Sequence, residues 1–266
     1  MTDFLAVVAI GTGSAIVVAV LADLINTLVT TRTASGKWWL SRLMTVGSWR
    51  LIRGIALRLP EGRTREVLLA SFAPLLVLLL LITWVSQQIV GFGLVWWGFS
   101  QFDSTPISGV TGLGDAIYYS GVVFFTVGFG EVVPASTIPR FGALIEAFAG
   151  VLTTALVIGH LPALYSAYSE RERKLMTLDD GTETRITPTS LVMAWSPGAD
   201  AEDLVSHFHD WEEWVAGILE THTTFPMLPL FRSHHEGQSW ITAVGLLADA
   251  SLQCQIVEGA QNRAPT

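Results

Sequence analysis

The chain has 266 residues, of which half are hydrophobic and only 14% charged. That is too apolar for an ordinary soluble domain. The net charge of −8 resides in loops and in the C-terminal third, and it offers no basic surface for nucleic acid. Cys254 is the single cysteine, which excludes a disulfide within one chain and suits a reducing compartment.

The first apolar run covers about residues 4–30. It begins with Asp3 rather than a basic segment and is too long for a signal peptide, so it is expected to be a retained membrane span within a first segment, 1–31. Gly11-Thr12-Gly13 inside it predicts close helix packing rather than a phosphate loop. Residues 32–65 are basic, with Arg32, Lys37, Arg42, Arg50, Arg53, Arg58, Arg63 and Arg65. Residues 37–58 are expected to lie along a membrane surface as an interfacial helix. Leu40, Met44, Leu51 and Ile55 share one side, Arg42, Arg50 and Arg53 share another, and Trp38, Trp39 and Trp49 suit the headgroup level. Leu43 and Val46 blur the division. An ordinary positively charged loop with some helix is the alternative.

A second span is predicted over about 66–98. No charged residue occurs from Leu68 to Phe102, and Pro74 near the start predicts tilt or a kink. A helix over about 114–125 follows, too short to cross a bilayer and therefore expected to be re-entrant. A third span is predicted over about 139–168, with Leu161-Pro162 expected to bend it. The connection 99–138 has no lysine or arginine, whereas Arg171, Arg173 and Lys174 follow the third span. This bias places the basic loop and the C-terminal tail in the cytoplasm and the N-terminus outside.

Between the short helix and the third span stands Thr126-Val127-Gly128-Phe129-Gly130. Glycines permit the dihedrals that turn successive carbonyls to one side, where they can replace an ion's water. The stretch from Asp115 through Tyr118, Tyr119 and Ser120 to Gly150 resembles, without a gap, the pore helix, selectivity filter and inner helix of bacterial potassium channels of the two-span type. Pro134 and Arg140 fall on family positions, and Gly150 matches the hinge glycine of the family's inner helix. Glu131 stands where the family usually has Asp, Phe125 where a small or hydroxyl residue is common, and Phe129 is a frequent variant of tyrosine.

The resemblance implies an all-α membrane protein: three transmembrane helices, a re-entrant pore helix and a filter loop per subunit. The pore domain is 66–168, and four copies form a homotetramer around one axis. K+ is bound by the backbone of Thr126, Val127, Gly128 and Phe129, with no other metal and no cofactor. Tyr118, Tyr119 and Glu131 are expected to support the filter and outer mouth, and Asp103 to add negative charge there. Gly150, Pro162, His160 and Glu146 are the gating candidates, because ionisable groups inside a span are rare and functional. Glu146 would brace the back of the filter, touch the cavity or simply hydrogen-bond a neighbouring helix. His160 would sense pH or simply bond a neighbouring helix.

Residues 169–266 are expected to form a small helical cytoplasmic domain after a linker over Thr177–Thr184. Thr187-Pro188 predicts a helix start. Leu204, Phe208, Trp211, Val215 and Ile218 repeat at helical spacing, as do Ala243, Leu247, Ala250, Cys254 and Val257. His207, His209, Asp210, Glu213, His222, His234 and His235 crowd this region without a tight metal-ligand motif. No G-x-G-x-x-G after a strand and no nucleophile–base pairing is readable, so an enzyme is not expected. The expected function is passive potassium conduction across a plasma membrane, with membrane lipids as surroundings and no nucleic-acid partner. The alternatives are a nonselective cation channel on the same scaffold and a non-conducting receptor working through its tail.

Overall fold

The structure, a computed structural model, describes residues 2–29, 40–101, 107–178, 186–195, 201–233 and 239–261. It is helical almost throughout. α1 spans Thr2–Leu28, α2 Leu40–Ala56, α3 Arg63–Ala70, α4 Phe72–Ser100, α5 Leu113–Phe124 and α6 Thr137–Met176. α7 spans Pro188–Trp195, α8 Ala201–Thr224 and α9 Trp240–Gln261, with a 3-10 turn at Leu228–Leu230. Strands β1 (Ile107–Ser108) and β2 (Val133–Pro134) pair antiparallel, Ile107 opposite Pro134. The expected all-α membrane architecture is what forms. Three stretches are long and apolar enough to cross a membrane: Asp3–Leu28, Arg63–Ser100 and Thr137–Met176.

The expected irregularity near Pro74 is a helix break at Ser71, three residues before the proline. Proline has no N–H to donate back to residue 70, so the helical ladder loses a rung there. α6, in contrast, is assigned as helix without interruption through Gly150 and Pro162.

The chain divides into two compact units, residues 1–61 with 74–162, and 62–73 with 163–266. Two of the three boundaries fall at prolines, Pro74 and Pro162.

In the first unit, α1 packs on α4 through small residues. A Cβ added to Gly13 would lie 2.3 Å from the Gly91 carbonyl, so any side chain at 13 would force the helices apart. Gly13 of the Gly-Thr-Gly sequence is thus a packing residue. Asp23 of α1 is buried, and its carboxylate accepts from the Trp84 Nε1 of α4 at 2.8 Å. It also accepts from Ser41, through the backbone N–H at 3.1 Å and the hydroxyl at 2.9 Å. A single acid therefore ties α1, α2 and α4. On α2, Leu43, Val46, Leu51, Ile55 and the arginines at 42, 50 and 53 are exposed. In a single chain both the leucine side and the arginine side of this helix are therefore open. The expected roles of Arg32, Lys37, Trp38, Trp39 and Asp103 lie outside the described residues.

In the second unit, α7, α8 and α9 enclose a core of Leu191, Trp211, Leu247 and Ala250, flanked by Trp195, Phe208 and Trp214. Helical spacing selected these faces correctly. The side chains of Leu204 and Val257 lie outside the description. Thr187 and Ser190 cap α7 reciprocally: Ser190 N–H donates to Thr187 Oγ1 at 3.1 Å, and Thr187 N–H donates to Ser190 Oγ at 2.9 Å.

Candidate functional site

The site is built on α5. Gly112 precedes the helix and has no side chain to cap it, so Asp115 reaches back instead. Its carboxylate accepts from the Thr111 N–H at 2.9 Å, the Thr111 hydroxyl at 2.5 Å and the Gly112 N–H at 3.2 Å. A negative group at a helix N-terminus is also favoured by the helix dipole. Ala116, Tyr119, Ser120 and Phe124 form the buried face, which joins a core of Phe92, Trp96, Ile107 and Ala149. The fit is close enough that a Cβ on Gly93 of α4 would lie 2.9 Å from the Ile117 Cα.

After Phe124 the backbone leaves the helix. Thr126 N–H donates to Val123 O and Val127 N–H to Val122 O, both at 2.9 Å. Thr126, Gly128 and Gly130 then have φ of 55°, 63° and 85°. Thr126 is the non-glycine residue with positive φ among those described, a conformation uncommon for a β-branched side chain. Left-handed residues at every second position are the alternation that one-sided carbonyls require. Val127 and Phe129 are about half to two-thirds exposed, at 51% and 65%, and a Cβ on Gly128 or Gly130 would meet nothing within 4 Å. The segment therefore has open space beside it in a single chain.

The flanks hold this loop at both ends. Tyr118 donates its hydroxyl to Glu131 Oε2 at 3.3 Å, long for such a bond. Arg140 Nε donates to the Pro134 carbonyl at 3.2 Å, and β2 pairs with β1. Tyr119, expected beside Tyr118 as filter support, turns the other way. It is buried edge-on against Trp96 at 5.6 Å, and its hydroxyl has no hydrogen-bond partner among the described residues.

Gly150 lies against the end of α5. A Cβ there would stand 2.1 Å from the Phe124 carbonyl oxygen. The position needs glycine for space, which supplies a packing reason independent of any hinge. Glu146, one turn earlier, is fully buried. Its carboxyl accepts from Trp96 Nε1 at 2.6 Å and bonds the Ser120 hydroxyl of α5. Of the expectations for Glu146, a hydrogen bond to neighbouring helices is the one this placement shows, on α4 through Trp96 and on α5 through Ser120. Gln88 of α4 and Thr153 of α6 bond at 3.1 Å, adding a second buried tie. His160 lies on α6 two residues before Pro162, away from this cluster in sequence, and has an interaction of its own.

The inner part of α6 carries a network that charge counting did not reveal. Arg171, counted in the sequence only for its charge after the third span, is 2% exposed. Its guanidinium donates to the carbonyls of Leu228 at 3.2 Å and Phe231 at 2.8 Å, and pairs with Glu172 at 3.0 Å. Tyr168 donates to the Arg232 carbonyl at 3.1 Å, and Arg232 pairs with Glu66 of α3 at 2.7 Å. Lys174 Nζ stands 4.8 Å from the Trp211 ring centre. Among the described residues there are no groups of three His, Cys, Asp or Glu that could hold a metal ion; His234 and His235 lie outside them.

Ser120, Trp96 and Asp23 are the structural partners that sequence reading did not select. For Asp23 the signal was present, a lone acid inside an apolar run. Ser120 and Trp96 gave none, since a serine or tryptophan in a membrane helix is ordinary.

A short helix with one buried face thus ends in an alternating left-handed loop and packs against the apolar helices α4 and α6. Residues 75–165 match the family of ion channels, in its two-span form. Over 221 residues, 81% of its length, the chain is 27% identical to the uncharacterized membrane protein YdjJ of Bacillus subtilis (strain 168). It spans about 61% of the length of that relative. No solved structure matches the chain.

Proposed function

We propose that this protein is a potassium-selective channel that conducts K+ passively through a homotetrameric pore. The observation that carries the reading is the left-handed backbone at Thr126, Gly128 and Gly130, at the end of a buried 12-residue helix. Four such loops around an axis supply stacked rings of carbonyl oxygens from Thr126, Val127, Gly128 and Phe129. Several adjacent sites let ions repel one another along the queue, so binding does not become a trap. The open space beside the loop suits neighbouring subunits and the ion path. The C-terminal end of α5 adds partial negative charge where a cation loses water. The basic loop and tail face the cytoplasm across a plasma membrane by their lysine and arginine bias. The protein is not an enzyme in this reading. The pore opens and closes through α6, with Gly150, Pro162 and His160 as the segment's gating candidates.

The test is potassium flux into liposomes containing the purified protein, with Gly128→Ala as the comparison. At φ of 63° alanine is strained, and its methyl alters the ring. Flux that disappears in the variant while the tetramer persists supports the reading; unchanged flux overturns the filter assignment. A folded tetramer that never conducts supports the receptor alternative.

A further inference from the structure

The conduction path leaves one buried acid unused. Glu146 and Ser120 are both fully buried. Ser120 Oγ is in hydrogen-bonding contact with two oxygens, the Ile89 carbonyl of α4 at 2.8 Å and Glu146 Oε1. A hydroxyl has one proton to give and a carbonyl can only accept. If Ser120 donates to Ile89, the contact with Glu146 needs a proton supplied by the carboxyl. The other carboxyl oxygen accepts from Trp96 Nε1 at 2.6 Å. No lysine or arginine forms an ion pair with Glu146 among the described residues. A bare carboxylate here would be a buried charge without a cation, and it could take the Ser120 proton only at the expense of the Ile89 bond.

We propose that Glu146 is a positioning residue for the filter, acting as a neutral two-way hydrogen-bonding group that donates to Ser120 and accepts from Trp96. Through those bonds it seats α5 against α4 and α6 at the level where the chain turns toward Thr126. The effect on ion selection rests on the filter reading above; the state of the carboxyl does not.

Glutamine reproduces the arrangement, since its amide nitrogen can donate to Ser120 and its oxygen can accept from Trp96. Aspartate keeps the acid but is a methylene too short to reach both. The experiment measures the K+/Na+ permeability ratio of wild type, Glu146→Gln and Glu146→Asp in planar bilayers. Glu146→Gln is expected to stay within about twofold of wild type and Glu146→Asp to fall by about fivefold or more, as loss of a buried hydrogen-bond partner implies. The reverse order, with Asp tolerated and Gln not, overturns the proposal because it would make the charge the working feature. Equal behaviour of all three also overturns it. A second arm takes the infrared difference spectrum of wild type against Glu146→Gln at neutral pH. A carboxylic-acid carbonyl band that vanishes in the variant is expected; a carboxylate band instead contradicts a neutral group. If wild type conducts no potassium, the functional reading fails while the infrared arm still decides the carboxyl.

Discussion

Gly150→Ala separates two roles that predict opposite signs. Alanine is the better helix former, by about 1 kcal/mol, so at a free hinge the substitution should stabilise α6. At this position the new Cβ would lie 2.1 Å from the Phe124 carbonyl, whereas ordinary contact begins near 3.4 Å. The inner helix or the end of α5 must therefore move by about 1.3 Å, the difference of those two distances. Neither can yield cheaply, because the obstacle is backbone at the last turn before the loop. Overpacking of this kind costs about 1–3 kcal/mol, more than the propensity gain offsets at its upper range. The assay is thermal unfolding of the purified protein, read alongside potassium flux. A lower midpoint with reduced flux is expected. A higher midpoint would refute the packing argument, and reduced flux alongside it would leave the hinge as the reason for glycine.

Gly13→Leu should weaken the seat of α1 on α4, because even a methyl at 13 meets the Gly91 carbonyl. Crosslinking between cysteines placed on the two helices should drop, with the permeability ratio unchanged. Arg171→Leu removes the guanidinium's bonds to three partners and leaves Glu172 with the Ser233 hydroxyl but no cation, a loss of about 3–5 kcal/mol for a broken buried pair. Amide exchange across 225–233 should accelerate in the full-length protein, and no change would contradict the network. His222 is pushed down to about 4, first by burial and then by the Arg171 charge. Its unfolded value near 6.5 is higher, so between those limits the unfolded chain binds the extra proton. The stabilisation from a neutral His222 is complete above about pH 6.5 and is lost as pH falls toward 4. Amide exchange in α8 and α9 should therefore accelerate over that window in wild type and not in His222→Phe.

The sequence reading located the spans because apolar runs of this length have few other structural uses. It placed α5 within a residue, because a capping acid and a filter-like loop bracket it. The tail helices were legible from periodicity, since only one face of each could be buried. Pairings between helices were not legible. Gly13 and Gly91 signal closeness but not to whom, and Tyr118 and Tyr119 look equivalent until one bonds Glu131 and the other packs on Trp96. Arg171 counts as one more positive charge in sequence, and only the returning 228–231 segment converts it into a buried anchor.

The most direct test of the central claim is a bi-ionic reversal potential, with potassium on one side of a planar bilayer and sodium on the other. Carbonyl rings from Thr126 to Phe129 predict a reversal far from zero and toward the potassium equilibrium value. A reversal at zero in a conducting tetramer, meaning equal permeability for the two ions, would contradict it.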